Sequence, residues 1–268
     1  MNSFAGIDWG GYRHQLCIVD GDGQRVFEGG IAHDRDGLEQ LRSVLACHGA
    51  GTPIAVERSE GLLVESLLSW EHPVYAISPR ISARARERYR VASSKDDAFD
   101  AFVLADMLRH ERDHWRPLAR PSEELAELRA LVRDRRRLVE QQRGVEAQLR
   151  ATLETYHPVV ARLFSAVDRD ITIAFLRDYP SPDEASRIGR DRMQRFLARH
   201  AYRGRTSAEV LLERLREHLL TASAGTTAAR RRFALAQADQ LELLNRQLRD
   251  FDRSLGETFQ RHPDAPLC

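Results

Sequence analysis

The sequence contains one lysine, Lys95, in a chain of 268 residues that has 41 basic side chains. The other 40 are arginines, so this one position carries a compact, strongly hydrated ammonium group in place of a planar guanidinium. Lys95 belongs to the run 94–101, Ser-Lys-Asp-Asp-Ala-Phe-Asp-Ala, in which three carboxylates follow within five residues. The lone lysine and the acids beside it mark this run as a candidate active-site segment.

Cysteine is also scarce, and apolar runs are short. The three cysteines, Cys17, Cys47 and Cys268, form no metal-type cluster, which is typical of reduced thiols in the cytosol. None of the ten histidines has zinc-type spacing with a cysteine. The first residues have no basic and apolar signal segment, and no apolar run approaches the ~20 residues of a membrane helix. We expect a soluble cytoplasmic protein that does not enter a membrane.

The net charge of +1 conceals an uneven distribution of charge. Residues 1–115 carry 13 basic and 18 acidic side chains, whereas residues 116–268 carry 28 basic and 22 acidic ones. An acidic first part suits a carboxylate site for metal ions, and a basic second part suits the binding of a polyanion. Solvated helix faces would give the same totals, so charge alone leaves both interpretations open.

The first 115 residues alternate between strand and helix patterns. Strands are predicted at 4–8, 14–19, 24–31, 53–57 and 74–77. Helices are predicted at 38–45, at 62–68, after Pro79, and from about Asp97 to His110. Three hairpin-joined strands followed by crossover helices predict a mixed sheet that is covered on both faces.

From residue 116 onward the sequence is predicted to be wholly helical. One long helix is expected from Pro121 to Tyr156, with Ser122 as its N-cap, and a second from about Thr227 to Phe259. Apolar residues recur at an alternating three-four spacing in both, which predicts a long antiparallel coiled coil. Polar residues at the seam leave open whether the helices pair within a chain or between chains. The predicted fold class is therefore α/β then all-α, with domains at 1–115 and 116–268 and a helical insert at about 158–222.

Four carboxylates occur where a sheet-based metal site needs them. Asp8 ends the first strand and Glu57 ends the fourth, while Asp97 and Asp100 lie three residues apart on one face of a helix. Each acid alone is also explained as a turn, surface or helix-terminal residue. Hard cations such as Mg²⁺ (or Mn²⁺) take oxygen ligands, and a pair of them would activate water and stabilise the leaving oxygen of a phosphodiester. Taken together, the acids predict such a metal site.

Four segments of the chain carry a resemblance to a known family. They are Gly-Ile-Asp-Trp-Gly at 6–10, Ala-Val-Glu-Arg-Ser at 55–59, Val-Tyr-Ala-Ile-Ser-Pro at 74–79, and the run at 94–101. This pattern resembles the DEDD transposases of the IS110 insertion-sequence family over essentially the whole chain. The run at 94–101 is similar to the family's Lys-Thr-Asp-x-x-Asp-Ala, an alignment that selects Asp97 over Asp96.

The resemblance implies a fold, a reaction and partners. It implies a RuvC-like, ribonuclease H-like domain in which Asp8, Glu57, Asp97 and Asp100 are the catalytic residues and metal ligands. It also implies DNA as substrate, a structured guide RNA, a homo-oligomer (dimer or tetramer) formed through the coiled coil, and a bacterial cytoplasm. Family members carry a nucleophilic serine in a further domain after the coiled coil. This chain stops where that domain would begin, so we expect it to be incomplete as a recombinase.

A basic run leads directly into the Asp pair. It contains one acid and six basic residues with an aromatic among them, which makes Arg80, Arg84, Arg86, Arg88, Tyr89, Arg90 and Lys95 the candidate nucleic-acid-binding residues. Arginine and lysine neutralise phosphates, and a tyrosine ring stacks on bases. A solvated basic helix is the alternative, and Lys95 itself could contact a phosphate or pair with Asp96.

Two other functions compete with the transposase. One is a non-catalytic module that binds nucleic acid and forms oligomers. The other is an actin-like or sugar-kinase ATPase, because Gly-Ile-Asp-x-Gly also opens that fold. An ATPase would need a second glycine-rich phosphate loop, and the helical residues 116–268 offer none, so we disfavour it.

Overall fold

The computed structural model describes residues 2–89, 96–217, 219–263 and 265. The chain divides into two compact units, Met1–Pro121 and Ser122–Cys268. The first contains a sheet and helices, and the described residues of the second are helical without a strand. The predicted order of an α/β part followed by helices is confirmed.

None of the helices in the described part of the chain is long and apolar enough to span a membrane.

Five strands form one mixed sheet among the described residues of the first unit. They are β1 (Phe4–Asp8), β2 (Arg13–Val19), β3 (Arg25–Ala32), β4 (Ile54–Val56) and β5 (Val74–Ala76). The strand order is β3-β2-β1-β4-β5. β2 pairs antiparallel with both β1 and β3, whereas β4 runs parallel to β1 and β5. This mixed sheet is the predicted one.

Helices cover both faces of the sheet. They are α1 (Arg35–Cys47), α2 (Leu62–Ser69), α3 (Pro79–Tyr89) and α4 (Asp97–Glu111), and a short 3₁₀ turn (Arg112–His114) follows α4. Successive strand residues point to opposite faces. Ala5 and Ile7 of β1 therefore pack with α1 and α2, whereas Ala55 of β4 packs with α3 and α4 on the other face.

A glycine lets α4 approach β1 closely. An ideal Cβ on Gly6 would lie 2.1 Å from the carbonyl oxygen of Ala101 and 2.4 Å from the amide nitrogen of Ala105. Both of those atoms are backbone atoms of α4, so a side chain at this position would push the helix outward. The missing side chain of Gly6 sets the distance between α4 and the end of β1.

The fourth strand is shorter than the sequence predicted. β4 covers Ile54–Val56 where the sequence indicated 53–57. Pro53 has no backbone N–H to donate to the ladder, and its carbonyl accepts from Ala5 at 2.9 Å just before the strand. Glu57 follows the last ladder residue and begins the loop to α2.

The described residues of the second unit form seven helices. They are α5 (Glu123–Glu154), α6 (Val160–Leu163), α7 (Asp170–Asp178), α8 (Pro182–Ser186), α9 (Arg190–Arg199), α10 (Ala208–Glu217) and α11 (Ala224–Arg261). The predicted N-cap is confirmed, since the Ser122 hydroxyl accepts from the Leu125 amide at 3.2 Å. The five helices between α5 and α11 enclose a core that contains Tyr156, Phe175 and Phe196.

The two long helices pair within the chain. Arg135 bonds Asp252, and seven residues further along α5 the Gln142 amide donates to Asn245 at 2.7 Å. The partner number falls as the α5 number rises, so the pair is antiparallel. The polar residues at the seam therefore contact each other across an intramolecular pair. The structure thus decides a question that the sequence left open.

Candidate functional site

Asp8 and Glu57 lie at the same edge of the sheet because β1 and β4 are parallel neighbours. Ile7 pairs with Val56 in the ladder, and the next residue of each segment is the carboxylate. Both side chains are half-buried. Parallel pairing thus places two acids from distant parts of the sequence side by side at the carboxyl ends of adjacent strands.

The beginning of α4 supplies two further acids. Asp96 is the N-cap, and its carboxylate accepts from the Ala98 amide at 3.2 Å. Asp97 and Asp100 follow in the first helical turn, where Asp97 is exposed and Asp100 is only 8% exposed. The helix N-terminus favours negative charge. Asp96 is therefore placed as a cap, whereas the next two acids point toward the sheet edge.

Three of the four predicted acids converge. Carboxylate oxygens of Asp8, Asp97 and Asp100 all lie within 4.8 Å of one another; we call these residues the acid trio. Glu57 stands outside the trio, but its negative charge also acts on Asp8.

Burial raises the pKa of Asp8 to about 6, and the charges of Asp100, Glu57 and Asp97 contribute to this shift. The backbone N–H of Trp9 opposes it.

The acid trio fits a divalent cation on chemical grounds. Its donors are carboxylate oxygens, which Mg²⁺ and Mn²⁺ prefer over nitrogen or sulfur ligands. Burial is the main cause of the raised pKa of Asp8, and the negative charges of the neighbouring carboxylates add to it. A bound cation would relieve the repulsion among these like charges.

An arginine of the basic run contacts the trio. The Arg86 guanidinium donates to Asp100 Oδ2 at 2.7 Å, which joins α3 to α4. Arg80 and Arg84 lie exposed on α3. Arg88 and Tyr89 are the last residues of the same helix, whereas Arg90 and Lys95 lie outside the described residues. The structure thus brings one candidate phosphate-binding residue, Arg86, into the acid site itself.

Ser82 contacts one of the four predicted acids, although its sequence position does not indicate this. It is 2% exposed on α3, and its hydroxyl donates a short hydrogen bond to Glu57 Oε1. This bond orients Glu57 toward the sheet edge. No local sequence signal could have shown it, because 25 residues separate the two partners and serines are common on helices.

An aromatic and histidine group adjoins Asp8. The Trp9 ring packs edge-on against His14, with centroids 5.0 Å apart, and tilted against His33 at 5.8 Å. His14 Nε2 and His33 Nδ1 are 2.7 Å apart. Burial lowers the pKa of His14 to about 4, and His33 adds to the effect. The Arg58 guanidinium lies 5.2 Å from the centre of the Trp9 ring, a cation–π arrangement.

Local sequence patterns do not indicate this group because its two histidines are 19 residues apart. β2 carries His14, and His33 directly follows β3. The antiparallel pairing of these strands brings the two residues together. The group packs against Trp9 and thereby supports the chain immediately after Asp8.

Comparison with known proteins places the chain in a family. The model of the IS110-type DEDD family, described as transposase, matches residues 5–158. The putative transposase of the IS117 mini-circle of Streptomyces coelicolor is 31% identical over 100% of this chain and 67% of its own length. The putative transposase y4uE of Sinorhizobium fredii is 30% identical over 75% of this chain and 57% of its own length.

A third relative is an insertion-element protein. The uncharacterized 44.8 kDa protein of insertion element IS116 from Streptomyces clavuligerus is 27% identical over 98% of this chain and 66% of its own length. The chain thus spans 57–67% of the length of these relatives. The family model covers more than half of the chain, including all four predicted acids. The chain belongs to the IS110 family of DEDD transposases.

Proposed function

We propose that the first unit is a RuvC-like, ribonuclease H-like domain that carries out metal-dependent phosphodiester chemistry on DNA. The convergence of Asp8, Asp97 and Asp100 within 4.8 Å carries this proposal. The mixed sheet supports it, because the parallel β1–β4 pair places Glu57 beside Asp8. These four acids are proposed as the catalytic residues and as the ligands of Mg²⁺ or Mn²⁺.

The side chains around the site have separate tasks. When bound, divalent cations would activate a nucleophile and stabilise the leaving oxygen of a phosphodiester. Ser82 holds Glu57 in place through its hydrogen bond. Arg86 forms an ion pair with Asp100, and loss of this ion pair on metal binding would free its guanidinium for a phosphate.

The basic run is proposed as the nearby nucleic-acid contact. Its residues are Arg80, Arg84, Arg86, Arg88, Tyr89, Arg90 and Lys95. Arg80 and Arg84 are exposed on the helix that also carries Ser82 and Arg86, so a strand bound along α3 would lead toward the acid trio. Each phosphate contact adds to affinity and to its salt dependence.

The second unit is proposed as an assembly module. Its pair of long antiparallel helices, with apolar residues at three-four spacing, supports a coiled coil through which chains form a dimer or tetramer. Resemblance to the family supports a structured guide RNA as partner and a serine nucleophile from a further domain in the complete reaction. The relatives, which are longer than this chain, are consistent with that division of labour.

The proposal is tested by metal binding and by cleavage. We expect the chain to bind Mn²⁺ in calorimetry and expect Asp8→Asn and Asp97→Asn to reduce that affinity at least tenfold. In a longer protein that joins this chain to a serine domain, both variants should abolish Mg²⁺-dependent strand transfer. Asp113→Asn, which changes an exposed carboxylate outside the trio, is the matched control. Metal affinity and activity that survive both trio variants would refute the assignment.

A non-catalytic nucleic-acid-binding and oligomerisation module is the second candidate. The Arg86–Asp100 ion pair favours it, because a guanidinium already balances part of the trio's charge. That function predicts nucleic-acid binding without any Mn²⁺ binding by the chain. The same calorimetric titration therefore separates the two candidates.

A further inference from the structure

A basic cavity lies in the helical unit, among the helices between α5 and α11. It has a volume of about 720 Å³ and opens between the start of α7, the loop that joins α9 to α10, and α10 itself. Four of its lining residues are arginines, which are Arg169, Arg203, Arg205 and Arg214. The cavity is therefore strongly positive for its size.

The four arginines have no acidic partners among the described residues. All four side chains are exposed, and no carboxylate of the described chain lies within ion-pair distance of any of them. Other arginines of the same unit differ, since Arg177 pairs with Asp239 and Glu242. Four guanidinium groups that have no carboxylate partner in the described part of the chain repel one another around one cavity, and an anionic ligand would relieve that repulsion.

The carboxylate in the cavity wall is already neutralised. Asp170 lines the cavity, but its Oδ2 accepts from Arg249 at 3.0 Å and its Oδ1 from Asn245 at 3.0 Å. Both partners belong to α11. The negative charge of Asp170 is thus satisfied by the long helix and does not compete for the four arginines.

The loop that presents two of the arginines has a defined shape. An ideal Cβ on Gly204 would lie 2.0 Å from the Tyr202 hydroxyl oxygen, so the tyrosine covers the glycine closely. The Tyr202 ring in turn packs edge-on against Phe164 at 5.7 Å. Ala201 adopts a positive φ of 47° where the loop leaves α9. Gly204 lies between Arg203 and Arg205, so this packing positions both.

We propose that the cavity binds phosphate groups of a nucleic-acid strand and is a second contact site, separate from the acid trio. Guanidinium groups pair with phosphates through two parallel hydrogen bonds, and exposed arginines from three segments can follow successive phosphates of one strand. DNA and RNA share this backbone chemistry, and the experiment distinguishes them. The inference rests on the proposed nucleic-acid function of the chain and adds a site to it.

Fluorescence anisotropy with the whole chain tests the inference. The probes are a labelled single-stranded DNA of about 20 nucleotides and the RNA of equivalent sequence, each titrated between 50 and 200 mM salt. The test variant is Arg203→Gln with Arg205→Gln. The matched control is Arg192→Gln with Arg195→Gln, which removes two exposed arginines of α9 that do not line the cavity. Thermal melts show whether each variant is folded.

The expected result is a loss of affinity confined to the cavity variant. Removal of two phosphate contacts should reduce the magnitude of the salt slope by about 1.4, at about 0.7 per contact on a single strand. Affinity at 100 mM salt should fall at least fivefold, while the control variant stays within twofold of the parent. Loss with the RNA probe alone would assign the site to RNA, and loss with the DNA probe alone would assign it to DNA.

Three results would overturn the inference. If the cavity variant binds both probes as tightly as the parent chain, the cavity is not a nucleic-acid-binding site. The same conclusion follows if the control variant loses as much affinity as the cavity variant. An unchanged nucleic-acid affinity would be the outcome if the cavity takes an acidic protein segment instead. A parent chain that binds neither probe refutes this inference together with nucleic-acid binding by the chain. Mn²⁺ binding by the acid trio is measured separately, so failure of the cavity leaves the metal proposal intact.

Discussion

Gly6 of β1 lies directly against Ala101 of α4, with no room for a side chain between them. A Cβ at Gly6 would stand 2.1 Å from the Ala101 carbonyl oxygen. Asp100 precedes Ala101, and Asp8 lies two residues after Gly6. The contact that holds the helix on the strand therefore also sets the distance between two members of the acid trio.

Gly6→Ala should both destabilise the chain and open the trio. The methyl group clashes with backbone that belongs to a buried helix, and overpacking of this kind costs about 3 kcal/mol. Metal affinity should fall as well, because α4 carries Asp97 and Asp100. Urea denaturation and Mn²⁺ calorimetry measure the two effects.

Gly144→Ala is the matched control for that substitution. Gly144 lies within α5, where a Cβ would meet nothing within 4 Å, so alanine should stabilise the helix by up to about 1 kcal/mol. A Gly6→Ala chain as stable as the parent would show that α4 does not depend on this close approach.

Ser82→Ala should weaken metal binding through Glu57. Loss of the hydroxyl leaves the Glu57 carboxylate without its donor from α3, and loss of a hydrogen bond to a metal ligand typically lowers metal affinity 10–100-fold. Mn²⁺ calorimetry measures the change. Ser82→Thr keeps the hydroxyl and should restore much of the affinity, which a purely structural role of Ser82 would not predict.

Ser69→Ala serves as the comparison for Ser82. Ser69 is exposed, and its hydroxyl donates to the Ser66 carbonyl oxygen of its own helix. We expect no change in metal affinity. If Ser82→Ala binds Mn²⁺ as tightly as the parent chain, Ser82 has no part in positioning Glu57.

Arg86→Gln should increase the affinity for metal and decrease the stability of the folded chain when no metal is added. The guanidinium neutralises Asp100, so its removal leaves a nearly buried carboxylate unpaired, at a cost of about 1–2 kcal/mol for this partly exposed pair. A cation then no longer competes with the guanidinium, and Mn²⁺ affinity should rise several-fold. Thermal melts with and without Mn²⁺ measure both effects.

Arg84→Gln is the control for Arg86→Gln. Arg84 lies exposed on the same helix, and its loss should change neither the melting temperature nor the metal affinity. A decrease of metal affinity in Arg86→Gln would contradict competition between the guanidinium and a cation.

Asp8→Asn should stabilise the metal-free chain at neutral pH. The folded-state pKa of Asp8 is raised to about 6 from 3.8, so the folded chain favours the protonated carboxyl. The stability that this protonation adds is full below pH 3.8 and is lost as the pH rises through 6. Solvent screening at this half-buried group reduces the difference to about 1–2 kcal/mol. Urea denaturation at pH 4 and pH 8 without metal should show a gain from the substitution at pH 8 alone. An equal effect at both values would exclude titration of Asp8 as its cause.

His157 should make the helical unit sensitive to acid. The side chain is fully buried, and burial lowers its pKa to about 4 from 6.5. A hydrogen bond to the Tyr179 carbonyl acts in the opposite direction and raises the pKa. Its contribution to stability is present above pH 6.5 and is lost as the pH falls through 4, at most about 3 kcal/mol. His157→Gln should flatten the pH dependence of the free energy of unfolding between pH 7 and pH 4. The exposed substitution His114→Gln should leave it unchanged, and an unaltered slope in His157→Gln would assign the acid sensitivity to other groups.

Local patterns predicted most of the elements of this chain. Alternating apolar residues located all five strands within two residues, and Ser122 was predicted as the N-cap of α5, because both signals lie within a few neighbouring residues. The acids of the candidate site were also predicted from the sequence, since each occupies the end of a strand or the start of a helix. Ser82, His14 and His33 were not predicted as parts of it because their partners lie 19–25 residues away.

The sequence by itself determined which segments become strands and helices, and which acids lie at their ends. The reason is that the spacing of apolar residues and the capping of helices depend only on residues close together in the chain. Only the tertiary structure decided which side chains meet. The parallel pairing of β1 with β4, the close approach of α4 over Gly6, and the pairing of α5 with α11 within one chain all join residues far apart in the sequence. Such contacts depend on how whole elements pack, and a local pattern of residues does not specify them.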